Sequence, residues 1–71
     1  MQTSGFAELV GLRISQLRGC GIGVYEHAQA AKRAGETEER LIAIAVWWDS
    51  PFFTDAERAA LAMAESNHRP Q

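Results

Sequence analysis

The sequence predicts an all-α fold, a bundle of about four short helices, on three observations. Glycine and proline divide the 71 residues into four stretches, and within them apolar residues recur three and four apart. No stretch alternates apolar with polar residues as a half-buried strand does. The expected organisation is a single helical domain over residues 1–71.

The first helix is expected over residues 4–17, where Phe6, Val10, Ile14 and Leu17 recur at helical spacing and Ser4 is placed to cap the N-terminus. Gly19, Gly21 and Gly23 then interrupt the pattern. The second helix begins at about residue 21 or 24 and runs to 34, with Lys32 and Arg33 in its last turn and Gly35 as a natural C-terminal stop. Thr37 is expected to cap the third, which carries Glu38 and Glu39 in its first turn, where the helix dipole favours acids, and continues to about residue 48. On a continuous helix Leu41, Ile44, Ala45 and Trp48 would share one side, Ile42 and Val46 another, with Trp47 between. After the turn Asp49-Ser50-Pro51, the run Thr54-Asp55-Ala56-Glu57 has the form of a capping box, opening a fourth helix to about residue 66. Ala59, Ala60, Ala62 and Ala64 on it would permit close helix approach, and the tail at residues 67–71 is expected to fray.

A chain of 71 residues buries only about 60% of the surface its unfolded form exposes, so a monomer is marginally stable. One cysteine cannot form an internal disulfide, and no zinc-ligand spacing is present, which leaves self-association as the expected further source of stability. Trp47 and Trp48 point about 100° apart on a helix, so one of them is expected to meet another subunit of a homo-oligomer. The net charge of −2 and the lack of a basic run argue against nucleic acid or an anionic membrane as partner. No apolar run approaches ~20 residues, and the opening MQTSGFAELV lacks the pattern of a signal peptide. The expected setting is cytoplasmic, where an unpaired thiol is at home.

The stretch GCGIGVYEH, from Gly19 to His27, carries the candidate chemistry. Cys20 lies at or just before the start of the second helix, where free backbone N–H groups and the positive dipole end stabilise a thiolate. His27 is seven residues on, on the same face but ~10.5 Å further along the axis, too far for a direct hydrogen bond. Four residues before His27 stands Gly23, where a second cysteine would complete a Cys-x-x-Cys pair. Glu26 points away from His27, and Glu8 reaches it only if the first two helices pack as a hairpin. The competing readings are plain: Cys20 as a small hydrophobe, His27 as a surface or hydrogen-bonded residue. Cys20, Glu8, Glu26 and His27 match no recognised metal-ligand spacing, and the Trp and Ala stripes read as packing, so neither metal nor cofactor is expected.

Taken in order, Glu8, RISQLRGC from Arg13, His27-Ala28, AGETEERL from Ala34, Trp47-x-x-Ser50-Pro51-Phe52 and ERAALAMAE from Glu57 resemble the alkylhydroperoxidase D-like branch of the carboxymuconolactone decarboxylase family. Its pattern is Glu, then R-x-S-Q-x-N-G-C-x-x-C-x-x-x-H, then A-G-E-T-x-x-R-L. The resemblance covers about residues 8–65 and implies a helical fold assembled into trimers or hexamers. It also implies a thiol-dependent antioxidant site, in which two cysteines reduce peroxides or serve a peroxiredoxin partner and a Glu-His relay assists the second. Cys20 matches the first cysteine, His27 the histidine and Glu8 the glutamate; Gly23 stands in place of the second cysteine and Arg18 in place of the usual Asn. The chain is short against the family, as a truncated or minimal member would be. Three functions compete: a one-cysteine peroxidase resolved by an external thiol, a member that keeps the fold as a scaffold, and a lactone-directed lyase using Glu8 and His27 as acid and base.

Overall fold

A computed structural model describes residues 5–68. They form helices α1 (Gly5–Arg18), α2 (Gly21–Arg33), α3 (Glu38–Ala43) and α4 (Asp55–His68), with a 3₁₀ segment, Ile44–Asp49, continuing α3. No strand occurs among the described residues, and the fold is all-α as expected.

The chain reverses between α1 and α2 within two residues, Gly19 and Cys20, and the reversal fixes where the cysteine sits. Gly19 adopts φ +68°, a left-handed conformation that glycine reaches without strain. Its N–H bonds the Gln16 carbonyl at 3.1 Å while that of Cys20 bonds the Ser15 carbonyl at 2.9 Å, the paired bonds of a Schellman turn. Cys20 is therefore the first residue beyond that turn and also the N-cap of α2, its Sγ accepting the Gly23 N–H at 3.4 Å. The same device closes α2, where Gly35 at φ +93° donates to Lys32 and Glu36 to Ala31, both at 3.0 Å. Ser4, expected to cap α1, lies outside the described residues.

Leu9, Leu12, Ala31, Ile44, Trp47, Phe53 and Leu61 make up the core, each fully buried leucine contributing about 1.5–3 kcal/mol. The buried line of α1 is Leu9, Leu12 and Ser15, not the expected Phe6, Val10, Ile14 and Leu17. Because α1 packs against α2 on one flank and α4 on the other, Phe6 and Val10 only border the core.

The third helix departs most from expectation. Its α-helical part ends at Ala43, and the chain tightens into the 3₁₀ segment, with Val46 out of helical geometry at φ −132°, ψ 45°. At about three residues per turn, residues three apart stack, so Ile44 and Trp47 share the buried side and Ala45 and Trp48 turn outward. Of the two tryptophans, Trp47 is buried and Trp48 is 54% exposed.

The capping box of α4 forms as expected, Glu57 N–H donating to Thr54 Oγ1 at 3.1 Å and Thr54 N–H to Glu57 Oε1 at 2.9 Å. Ala59, Ala60 and Ala62 are exposed, so close helix approach does not explain them; Leu61 is the buried residue of α4. Alanine on a solvent face lends helix propensity instead. Two of the residues expected to fray, Asn67 and His68, continue α4, while residues 69–71 lie outside the described residues.

Arg40 ties the second half of the chain together. Its guanidinium donates to Glu36 Oε2 at 2.8 Å, to Glu57 Oε1 at 2.9 Å and Oε2 at 2.8 Å, and to the Phe52 carbonyl at 3.0 Å. It also lies 5.1 Å from the centre of the Phe53 ring. The AGETEERL motif is thereby accounted for: Gly35 turns, Thr37 caps α3 through the Arg40 N–H, and Glu36 and Arg40 clamp α3 to the start of α4.

Candidate functional site

The hairpin of α1 and α2 brings one face of each helix together in antiparallel register. On α1, Glu8, Gly11 and Ser15 are three and four apart; on α2, Gly23 and His27 are four apart. Ser15 faces Gly23 and Gly11 faces His27. The packing is close enough that a side chain at either glycine would have to displace its neighbour. A Cβ on Gly11 would lie 2.5 Å from His27 Cε1 and 2.6 Å from Nδ1; one on Gly23 would lie 2.5 Å from Ser15 Oγ and 3.2 Å from Cys20 Sγ.

His27 Nδ1 meets Glu8 Oε1 at 2.9 Å, so the hairpin condition on Glu8 is fulfilled. A carboxylate only accepts, so the bond places the imidazole proton on Nδ1 and leaves Nε2 as the nitrogen that can take up or deliver a proton. Glu8 is largely covered, its side chain 17% exposed, against 41% for His27. Glu26 is exposed and stands apart from the pair.

Cys20 is exposed, and with His27 it opens on a cleft of about 510 Å³ lined also by Gly11, Ile14, Ser15 and Arg18. All three residues expected to carry chemistry thus converge, Cys20 and His27 on the cleft wall and Glu8 behind His27. No cluster of three or more His, Cys, Asp or Glu positioned for a metal ion occurs among the described residues.

Gly11, Ser15 and Arg18 are site residues that sequence reasoning missed. A glycine inside an otherwise regular helical pattern is a signal of close approach, and Gly11 carried it. Ser15 and Arg18 gave no such signal, because only the hairpin shows what they face. A second cleft, about 410 Å³, lies between α1 and α4 along Arg13, Trp47, Trp48, Ala62 and Glu65. Its polar groups are mutually engaged: Glu65 Oε1 accepts from Arg13 Nε at 2.7 Å and from Trp47 Nε1 at 2.8 Å.

The carboxymuconolactone decarboxylase family profile matches residues 6–66. The chain belongs to that family. This family member is 36% identical over 58 residues to the protein of Bacillus subtilis (strain 168) named Uncharacterized protein YdfG, an alignment covering 82% of this chain and 40% of YdfG. The chain thus spans less than half the length of that relative. No helix among the described residues of this family member is long and apolar enough to cross a membrane.

Proposed function

We propose that this member of the carboxymuconolactone decarboxylase family is a one-cysteine thiol peroxidase. The observation that carries the reading is the convergence on one cleft of Cys20, at the N-cap of a 13-residue helix, and the hydrogen-bonded Glu8–His27 pair. The Cys20 thiolate attacks the outer oxygen of an organic hydroperoxide, the O–O bond breaks, and the sulfur becomes a sulfenic acid. The departing alkoxide takes a proton to leave as the alcohol. His27 lies two turns along α2 from Cys20, so its Nε2 takes up the proton that the Cys20 thiol gives up and returns it to the alkoxide, across the bound peroxide or through solvent, with Glu8 holding the ring. Since Cys20 is the single cysteine, an external thiol condenses with the sulfenic acid, releasing water, and a second thiol frees Cys20 as the external disulfide forms.

The test is single-turnover consumption of an organic peroxide with excess thiol, wild type against Cys20→Ser, together with trapping by a sulfenate-specific reagent. A serine oxygen can still cap α2, so folding is retained while peroxide consumption and trapping are lost. Equal, negligible rates would overturn the peroxidase reading and leave a member that keeps the fold as a scaffold.

A second reading is supported by the independence of the Glu8–His27 hydrogen bond from the sulfur: acid–base chemistry on a small lactone. Turnover of a lactone that survives Cys20→Ser and is abolished by His27→Gln would identify it. Under either reading we propose a homo-oligomer, supported by the small core and by Trp48, Ile42 and Val46, which stand on the surface at 54%, 70% and 50% exposure.

A further inference from the structure

We propose that the cleft beside Cys20 selects small thiols that carry a carboxylate, and that Arg18 reads that charge. The proposal deepens the one-cysteine reading, on which its place in a peroxide cycle rests. Cys20 is the single cysteine of the chain, so any disulfide it enters takes its second sulfur from outside. The cleft beside the exposed Cys20 has a definite polarity. Its lining, Gly11, Ile14, Ser15, Arg18, Cys20 and His27, contains two basic groups and no acid. The Glu8 carboxylate, behind His27, is held by that residue.

Arg18 differs in kind from the arginines that hold the fold. Arg13 is paired with Glu65, Arg40 with Glu36 and Glu57, and Arg58 donates to the carbonyls of Trp48, Ser50 and Phe53. Arg18 makes no ion pair among the described residues, lies exposed at the end of α1, and sits two residues before the reactive sulfur on the cleft wall. A guanidinium there can take a carboxylate in a two-pronged hydrogen bond while Ile14 lies along the ligand's carbon chain. The volume, about 510 Å³, suits a small molecule. In the cycle the Cys20 sulfenic acid and such a thiol give the mixed disulfide and water; a second thiol then attacks it, releasing the Cys20 thiol and the small-molecule disulfide.

The charge preference can be measured without peroxide by running exchange in the opposite direction. The reduced 71-residue chain attacks a symmetrical disulfide, Cys20 takes one half as a mixed disulfide, and the other half leaves as thiolate. The rate is followed by mass spectrometry with 3,3′-dithiodipropionate (anionic), 2-hydroxyethyl disulfide (neutral) and cystamine (cationic), each divided by its rate with N-acetylcysteine amide. The expected result is a preference of about fivefold for the anionic over the neutral disulfide and a deficit for the cationic one, erased in Arg18→Gln and reversed in Arg18→Glu. About 1 M salt should also flatten it, as a charge effect requires and a shape effect does not. Equal normalised rates, or a preference unchanged in Arg18→Gln, overturn the proposal. Anionic preference without peroxide consumption overturns the peroxidase reading and leaves this one standing; no exchange with any of the three overturns both.

Discussion

The imidazole of His27 occupies the space that a side chain on residue 11 would fill: a Cβ built on Gly11 lies 2.5 Å from Cε1, 2.6 Å from Nδ1 and 2.9 Å from Nε2. Gly11→Ala therefore displaces the ring and breaks its hydrogen bond to Glu8, while the added methyl raises helix propensity by about 1 kcal/mol. The expected variant is folded, within about 1 kcal/mol of wild type, and at least about tenfold slower wherever His27 acts. Urea unfolding and turnover measured side by side check this; full activity in Gly11→Ala would remove Glu8 from the mechanism.

A thiol can be returned to the position that lacks one. A Cβ on Gly23 would stand 3.2 Å from Cys20 Sγ, and the two atoms nearer to it are Oγ and Cβ of Ser15, whose hydroxyl can turn away. Gly23→Cys is expected to close a 20–23 disulfide on mild oxidation, read as the disappearance of both titratable thiols without dimer formation on a non-reducing gel. Adding Ser15→Ala, which removes the obstructing oxygen, should speed the closure. Persistent free thiols in the double variant would mean that the first turn of α2 holds the two sulfurs apart.

The clamp made by Arg40 gives the fold an acid limit. Arg40 and the Thr54 cap hold the Glu57 carboxyl at about 2, against an ordinary value of 4.5, with hydrogen bonding from Arg40 the largest cause. Because the folded value is the lower one, the unfolded chain binds more protons in that interval. The contribution is complete above about pH 4.5 and lost as pH falls toward 2. Glu57→Gln should cost about 1–2 kcal/mol at neutral pH and flatten this part of the stability profile, measured by thermal melts from pH 6 to about 2. Arg40→Leu, which strands Glu36 and Glu57 and uncovers the Phe53 face, should cost about 3 kcal/mol.

Neighbouring tryptophans should answer the same substitution in opposite ways. Trp47 is buried and donates to Glu65, so Trp47→Glu unfolds the chain, at about 4 kcal/mol or more. The Trp48 ring meets the edge of Trp47, ring centres 5.9 Å apart, and the Arg13 guanidinium at 5.6 Å, and is otherwise largely exposed. Trp48→Glu is expected to leave a folded chain that still melts cooperatively, at a lower temperature, and to lower the mass of the assembly by light scattering. An unchanged mass would move the subunit contact elsewhere on the surface.

Much of this was legible in the residues. The Schellman glycine at Gly35, the Thr37 cap and the Thr54–Glu57 box are local devices whose partners lie within a few positions, so sequence spacing alone specifies them. Cys20 at a helix start is of the same kind. The tightening of α3 into a 3₁₀ segment was not legible, because propensity for a continuous helix was overridden by the need to bury Ile44 and Trp47 together. Arg40 was read only as part of a motif; that it binds two carboxylates from different segments follows from the approach of α3 and α4.

The sequence by itself determined the all-α class, the Thr37 and Thr54 caps, the family and the absence of a second thiol at Gly23. What only the tertiary structure decided is which residues share a site: that Glu8 reaches His27, that Gly11 seats the ring, that Ser15 crowds Gly23, and that Arg18 lines the cleft of Cys20. The reason is geometric. Local hydrogen bonds fix a helix one turn at a time, whereas the register between two helices is set by how their surfaces close over a common core, and that core draws on residues from Leu9 to Leu61.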